Sequence, residues 1–508
     1  MSKETTSQPI EESKEETTAS ADEKAASESS VKEVEVTEPK TTEEPKVTEE
    51  PKVTEEPKVT EEPKVTEEPK VEAKPKKATK AKTVKTKTSK KEVVYIDPDA
   101  YSTGKQAEVN IGTIGHVDHG KSTLVKALTG TFPDTHSEEL KRGITIRLGY
   151  ADTDIRFCPK CPEDAKWTTE AVCPKCKVDT NIKRRISFID APGHEVLMAT
   201  LLTGAAIFDG AILVIAANEK CPQAQTREHL AAMDAVGITN IIIVQNKVEL
   251  VTEAEAIKSY NDIKAFVKGT VAEGAPIIPM SAVHGANLDI LVKTIEDVVK
   301  TPKRDEKVEP RMFVARSFEV NKPGTSPEEL LGGVLGGSII QGVLKEGDEI
   351  EIVPGARVNK QYIPVKTKIT SIHAGTLGKV KEAKPGGLMS IRTEIDPAYT
   401  RSDNLVGNII GKPTNLPPVL NEINLKVHLM DYVVGLEERT KVKSLAVGEQ
   451  LMLNVWTAIT LGVITNIGKG NIATVKLAKP VAAEKNTRVA VSRRIANRFR
   501  LIGFGINQ

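Results

Sequence analysis

"GHVDHGKSTLVKALTG", residues 115–130, follows directly on a short apolar run, Val109 to Ile114. Gly115, Gly120, Lys121 and Ser122 complete the spacing G-x-x-x-x-G-K-[ST]. The glycines permit a tight loop whose backbone N–H groups point inward, where phosphate oxygens can accept from them. Val117, Asp118, His119, Gly120, Lys121, Ser122 and Thr123 therefore read as a phosphate cradle. Lys121 places a point charge at the β- and γ-phosphates, and Ser122 offers a hydroxyl to Mg²⁺. A helix starting near Leu124 turns its positive end toward the same place. A plain glycine-rich turn would use the same letters, but a strand before it and a helix after it favour the phosphate loop. The rings of His116 and His119 read as packing groups with no chemistry of their own.

Three further stretches agree with this reading. "ISFIDAPGHE" (186–195) is an apolar strand that delivers Asp190 at its carboxyl end, three residues before Gly193. An aspartate so placed can hold Mg²⁺ through water, and the Gly193 N–H can sense a γ-phosphate. "AILVIAAN" (211–218) and "NIIIVQNKVEL" (240–250) have the unbroken apolar character of strands buried on both faces. "APIIPMSAVHG" (275–285) is another strand, ending in Ser281 and Ala282. Strands that end in polar residues, separated by helix-length segments, describe an open α/β sheet with its ligand at the carboxyl edge.

Between the first two of these motifs lies "FCPKCPEDAKWTTEAVCPKC" (157–176), with Cys158, Cys161, Cys173 and Cys176 in the pattern C-x2-C-x11-C-x2-C. Two C-x-x-C turns can present four thiolates tetrahedrally, which suits a structural Zn²⁺ with no open position for water. The fifth cysteine, Cys221, stands apart. An odd total does not suit a disulfide framework, whereas clustered thiols in a reducing compartment read as metal ligands. As an insertion before Asp190, the ribbon is expected to prop a moving segment of the nucleotide site or to present a docking surface.

After Thr301-Pro302 the helical patterns stop. "RMFVARSFEV", "GGVLGGSIIQGVL", "DEIEIVPG", "TKITSIHA" and "GGLMSIRT" are short strands broken by Gly, Pro and Asp, as in a β-barrel. A second set begins near Pro417 and closes with "SRRIANRFRLIGFGIN" (492–507). There Arg493, Arg494, Arg498 and Arg500 stand near Phe499. That pattern suits RNA contact and equally suits a barrel strand with a basic outer face.

The first 94 residues contain no Phe, Trp or Tyr and include four tandem copies of VTEEPK, Val47 to Lys70. Such a repeat cannot bury enough apolar surface to offset the entropy of ordering, so disorder is expected. Residues 1–70 carry 21 acids and 10 lysines, net −11, while residues 71–91 carry one acid and nine lysines, net +8. The lysine block can meet RNA phosphates or stay a solvated tail. The remaining residues, 92–508, are near neutral, at +4, which excludes a global field for nucleic acid. With no long apolar run and an acidic start, the chain is expected to be cytoplasmic, with no membrane partner.

A P-loop, D-x-x-G, N-K-x-D-like and S-A sequence in this order resembles the GTPase signature, and "GHVDHGKS", "RGITI" and "DAPGH" narrow it to translational GTPases. "HSEELKRGITIRLGYA", "RRISFIDAPGHEVLMATLLTGAA", "PQAQTREH" and "SFEVNKPGT" are similar to the gamma subunits of initiation factor 2, archaeal in style. The resemblance runs from about Val109 to the C-terminus. It implies an α/β P-loop GTPase domain with a zinc-ribbon insertion, then two all-β barrel domains behind a disordered N-terminal tail. The expected bounds are a tail over 1–94, a GTP-binding domain over 105–304 with its knuckle at 157–177, and barrels over 308–415 and 416–508.

The resemblance also implies roles. Thr145 should ligate Mg²⁺ from switch 1, with Asp118 and the Gly143 carbonyl contributing to a second magnesium. Asp190 and Ser122 serve the first. His194 stands where related GTPases place the histidine that orients attacking water. Asn246, Lys247, Glu249 and the Ser281-Ala282-Val283 loop should bind guanine. Glu249 replaces the usual Asp, keeping the carboxylate on an arm one methylene longer. The implied ligands are GTP or GDP, Mg²⁺ and Zn²⁺. The implied partners are initiator methionyl-tRNA, the small ribosomal subunit and the alpha and beta subunits of the factor. The implied task is delivery of that tRNA in the GTP state. An elongation-type aminoacyl-tRNA carrier and a GTP-regulated assembly scaffold are the alternatives.

Overall fold

A computed structural model describes residues 104–133, 145, 147–413, 415–436 and 440–508. The expected tail over 1–94, the lysine block and Gly143 lie outside the described residues.

The run quoted first becomes β1 (Val109–Ile114), with every residue buried. It is parallel to β4 (Asn181–Asp190) on one side and to β5 (Gly210–Ala216) on the other. Beyond β5 the sheet continues through β6 (Ile241–Asn246) to β7 (Ile277–Pro279), both parallel. On the other flank β2 (Gly149–Phe157) runs antiparallel to β4, and the two-residue β3 (Trp167–Thr168) pairs antiparallel to β2. The resulting order is β3-β2-β4-β1-β5-β6-β7. Because β1 has a successor on each side, the chain reverses its winding direction there. The carboxyl end of β1 is therefore the crevice where such sheets bind ligands.

Among the described residues, five helices cover the two faces. α1 (Lys121–Thr129) and α5 (Leu288–Val298) bury Leu124, Leu128, Leu291 and Val292 against Phe188 and Ile212. α2 (Met198–Ala205), α3 (Ala224–Val236) and α4 (Glu253–Val267) bury Leu201, Leu230, Met233 and Ile263 on the opposite face. α4 begins with a capping box, in which the Thr252 hydroxyl accepts from the Glu255 N–H and the Glu255 carboxylate accepts from the Thr252 N–H.

The second half is built of strands, joined by loops and short 3₁₀ turns. β8 (Arg311–Phe318), β9 (Val334–Gln341), β11 (Glu349–Val358), β12 (Gln361–Ala374), β15 (Met389–Thr393) and β16 (Ile409–Gly411) form a ring, closed by pairing of β11 with β12. The short strands β10 (Leu344–Lys345), β13 (Lys379–Val380) and β14 (Glu382–Ala383) lie outside this ring. A second closed barrel follows in the order β17-β20-β19-β18-β21-β22. Its members are β17 (Val419–Leu429), β18 (Gln450–Val455), β19 (Ala458–Gly468), β20 (Ile472–Ala482), β21 (Arg488–Ile495) and β22 (Arg498–Asn507). The stretch "EQLMLNVWTAITLGVITNI" is thus two antiparallel strands. The chain turns at Trp456, whose φ is 52°, and the indole then stacks on Phe313 of the first barrel with ring centroids 4.8 Å apart.

The arginine-rich close of the chain also separates into roles. Arg500 is buried and donates to Glu228 of α3, at 2.6 Å. Arg493 pairs with Glu449 and donates to the carbonyls of Lys443 and Ser444. Both are structural, which leaves Arg494 and Arg498 exposed near the β21–β22 turn. No helix among the described residues is long and apolar enough to cross a membrane.

Phe188 is wholly buried at the centre of the α1 face. Phe188→Ala should therefore cost about 3–5 kcal/mol of stability, the usual range for an aromatic lost from a packed core. Denaturant unfolding of the variant checks this, and a loss under about 1 kcal/mol would mean the face is not tightly packed.

Candidate nucleotide site and thiolate cluster

The phosphate loop leaves β1 at Gly115, whose φ of 137° belongs to glycine, and a Cβ there would lie 2.3 Å from the Val214 carbonyl. Asp118 stands exposed at the loop's tip with φ 62°. His119 is buried, with Nδ1 3.0 Å from the Val214 carbonyl and Nε2 3.3 Å from Glu219, and burial holds its pKa below the ordinary value. The ring is thus a packing group, as the sequence suggested. Lys121 opens α1, is 6% exposed, and donates to the His116 carbonyl at 2.7 Å.

The residues expected around magnesium converge. Asp190 is fully buried, and one carboxylate oxygen accepts from Ser122 at 2.5 Å and from Thr145 at 3.4 Å. The two hydroxyls are 3.3 Å apart. The other oxygen accepts from Thr113 of β1 at 2.5 Å. Burial pushes the Asp190 carboxyl above the usual range, opposed by Lys121 and by these hydroxyl donors. Hard oxygen donors grouped in this way fit Mg²⁺.

Gly193 sits directly against the loop. A Cβ on it would meet Lys121 Nζ at 2.5 Å and the Val117 nitrogen at 2.9 Å, so only glycine allows this approach. His194 is exposed, and its Nδ1 accepts from the Val196 N–H at 3.3 Å, capping the 3₁₀ turn Glu195–Leu197.

The expected base loop is joined to the phosphate loop through one side chain. Asn246 donates to the His119 carbonyl at 2.9 Å and accepts from the Ala282 N–H at 3.0 Å. Lys247 follows with φ 62°, and Glu249 lies exposed in the 3₁₀ turn Val248–Leu250. Ser281 is buried and its hydroxyl accepts from the His284 N–H at 3.3 Å, while Val283 is exposed. Both expected guanine loops therefore open at the carboxyl edge of the sheet.

The four ribbon sulfurs all lie within 4.8 Å of one another. Cys158 and Cys176 are 3.2 Å apart, and Cys161 lies 3.7 Å from both Cys173 and Cys176. Four sulfurs at about 2.3 Å from a central Zn²⁺ would stand roughly 3.8 Å apart, so the donor set and spacing fit that ion. The Cys176 N–H bonded to Cys173 pushes that thiol down to about 6. The segment around Thr145 that the ribbon is expected to prop lies largely outside the described residues. Among the described residues its ion pairs run to α5, with Lys175 to Asp289 at 2.7 Å and Lys293 to Asp164 at 3.0 Å. Trp167 packs against the core beneath that helix. The reason is chain geometry: β2 and β4 carry the insertion away from Asp190, and α5 is the surface it then meets.

Sequence reasoning missed Thr113, hidden within an apolar strand, and Asp152 of β2. The Asp152 carboxylate accepts from Ser187 at 2.5 Å and from the Thr376 N–H of the first barrel at 2.8 Å. Next to this clasp a mostly apolar cleft of about 280 Å³ is lined by Tyr150, Arg316, Phe318, Leu388 and Met389.

Family models match three segments: the Elongation factor Tu GTP binding domain over residues 106–301, Elongation factor Tu domain 2 over 332–407, and Initiation factor eIF2 gamma, C terminal, over 421–507. The protein is accordingly a translational GTPase, with GTP or GDP and Mg²⁺ as its ligands. Translation initiation factor 2 subunit gamma of Pyrococcus horikoshii is 58% identical over 407 residues, covering 79% of this chain and 98% of its own length. The same subunit of Methanocaldococcus jannaschii is 57% identical over 405 residues, covering 79% and 97%. The chain belongs to the family of translation initiation factor 2 gamma subunits. Among solved structures, a bacterial selenocysteine-specific elongation factor aligns at a TM-score of 0.60 with 26% identity, over 79% of this chain and 58% of that longer one. Elongation factor SelB of Methanococcus maripaludis, with the GTP analogue GPPNHP, shares the fold at a TM-score of 0.59 and 24% identity.

Gly193→Ala places a methyl group against Lys121 Nζ and the loop backbone. GTP affinity should fall about ten-fold or more, the scale of one lost charge-assisted contact of roughly 1.5–3 kcal/mol. A nucleotide titration showing unchanged affinity would mean that the loop moves aside freely.

Proposed function

We propose that this gamma subunit binds initiator methionyl-tRNA when GTP is present, delivers it to the small ribosomal subunit together with alpha and beta subunits, and lets go after hydrolysis. The observation that carries the reading is the convergence of Ser122 and Thr145 on Asp190, one strand pairing away from a clasp onto the first barrel. Gly149 pairs with Asp190, and Asp152 lies three residues further along β2. A change at Thr145 or Asp190 can thus reach the cleft between the GTPase domain and the first barrel along the paired strands β2 and β4. An apolar cleft of that size, with Arg316 at its wall, suits an unbranched thioether side chain next to a phosphate-bearing strand end.

In this reading the loop N–H groups and Lys121 hold the β- and γ-phosphates, and Ser122, Thr145 and Asp190 surround Mg²⁺. Asp118 and Gly143 would serve the second magnesium. Gly193 reports the γ-phosphate. Asn246, Lys247, Glu249, Ser281, Ala282 and Val283 surround guanine. His194 orients the attacking water after turning from its own 3₁₀ cap. Catalytic contacts of this kind often form only with substrate bound. Cys158, Cys161, Cys173 and Cys176 hold one Zn²⁺, which is structural because four thiolates leave no place for water.

Filter binding with GTP- and GDP-loaded protein tests the main reading. Initiator methionyl-tRNA should be retained at least ten-fold better in the GTP state and ahead of elongator tRNA. Equal retention of elongator tRNA would instead support an elongation-type carrier.

Two variants divide binding from chemistry. His194→Ala should keep nucleotide affinity and slow stimulated single-turnover hydrolysis about ten-fold or more, since a group used only in the transition state does not support ground-state binding. Lys121→Ala should lose nucleotide affinity itself. An unmodified hydrolysis rate in His194→Ala would make the histidine a cap only.

Metal analysis of freshly purified protein should find about one zinc per chain, lost in Cys173→Ser. Absence of zinc from the unmodified protein would end the structural-zinc reading.

A further inference from the structure

His229 is wholly buried on α3, and its Nδ1 accepts the N–H of Gly115, the first residue of the phosphate loop, at 2.9 Å. An accepting Nδ1 fixes the tautomer with its proton on Nε2, which has no hydrogen-bond partner among the described residues. Burial, with Lys121, His116 and His119 adding to it, pushes the ring's pKa down to about 3, so the acceptor persists at neutral pH. The loop thus begins with an N–H whose direction is set by one imidazole. A buried polar ring with one nitrogen unpaired is costly to keep for packing alone.

The neighbouring residue faces another domain. Glu228 is 4% exposed and accepts from Arg500 of β22 at 2.6 Å, and the backbone of Gly435 lies against the same carboxylate. Further along α3, Arg488 of β21 donates to the carbonyls of Ala235 at 2.7 Å and Asp234 at 2.5 Å. Its guanidinium also lies 3.6 Å from the centroid of Phe504. The second barrel therefore grips α3 at Glu228 and again at its carboxyl end, while His229 grips the phosphate loop. A helix passes on such displacements as a nearly rigid rod.

We propose that α3 is a lever between the second barrel and the phosphate loop, with His229 as the positioning residue that sets the lifetime of bound nucleotide. The seating of the barrel on Glu228 decides how firmly His229 holds the Gly115 N–H. The firmness of that hold decides how well the remaining loop N–H groups aim at phosphate. This assigns to the second barrel a control over nucleotide release, separate from tRNA carriage.

The test uses the full chain loaded with a fluorescent GDP, whose release is followed after excess GDP is added. His229→Leu removes the acceptor at similar volume and should speed release about ten-fold. His229→Asn returns an acceptor near the Nδ1 position and should restore the rate to within about three-fold, which a purely packing role would not do. Glu228→Gln keeps shape but drops the ion pair. It should speed release when His229 is present and add little on top of His229→Leu, because residues in one network are not additive. Stoichiometric GDP binding shows that each variant is folded. If His229→Leu does not fold, Glu228→Gln alone decides the question. An unchanged release rate in Glu228→Gln, or independent multiplication of the two effects, overturns the lever.

Discussion

The carboxylate of Asp190 draws three separate segments to one point. It accepts hydroxyls from Thr113 on the central strand, Ser122 at the start of α1, and Thr145 after the phosphate loop's helix. Burial raises its pKa, and the Lys121 charge and these hydroxyl donors offset that rise only in part. A divalent cation held beside it would supply further counter-charge, which is the electrostatic reason for proposing magnesium there. The parallel sheet makes this possible: Thr113 and Asp190 are register partners on adjacent strands.

Magnitudes decide which contacts transmit what happens there. The ribbon's ion pairs with α5 join solvent-exposed side chains, where water and salt screen the attraction. Glu228 and Arg500 are buried, and breaking such a pair leaves an uncompensated charge worth about 3–5 kcal/mol. The Asp152 clasp lies between these cases, with Ser187 and the Thr376 backbone both bonded to one carboxylate. On the proposed account, the contacts that join the nucleotide site to the barrels are the Asp152 clasp on β2 and the Glu228–Arg500 pair on α3, and the ribbon is not one of them.

Much of this was legible in the sequence because the relevant signals are local. The phosphate loop, Asp190 at a strand end, Asn246 after an apolar run and the paired C-x-x-C turns each lie within a few residues of the feature that explains them. Long-range partnerships were not legible. Arg500 and Glu228 are 272 positions apart, and an alternating barrel strand gives Arg500 and Arg498 the same outward appearance. Only the fold shows that one is buried against α3 and the other is exposed. Thr113 is invisible among apolar neighbours, because a threonine in a strand needs no explanation until its partner is known. The ribbon's ion pairs with α5 join residues more than a hundred positions apart, so nothing local in the sequence announced them.

The most direct measurement is the Mg²⁺ dependence of GTP binding by Asp190→Asn. That change keeps the shape of the side chain and most of its hydrogen-bonding capacity, and removes the charge. If Asp190 is the centre of the site, added Mg²⁺ should tighten GTP binding strongly in the unmodified chain and barely at all in the variant. Magnesium-free affinity should change little. An equal tightening by Mg²⁺ in both proteins would contradict the account and place the cation elsewhere.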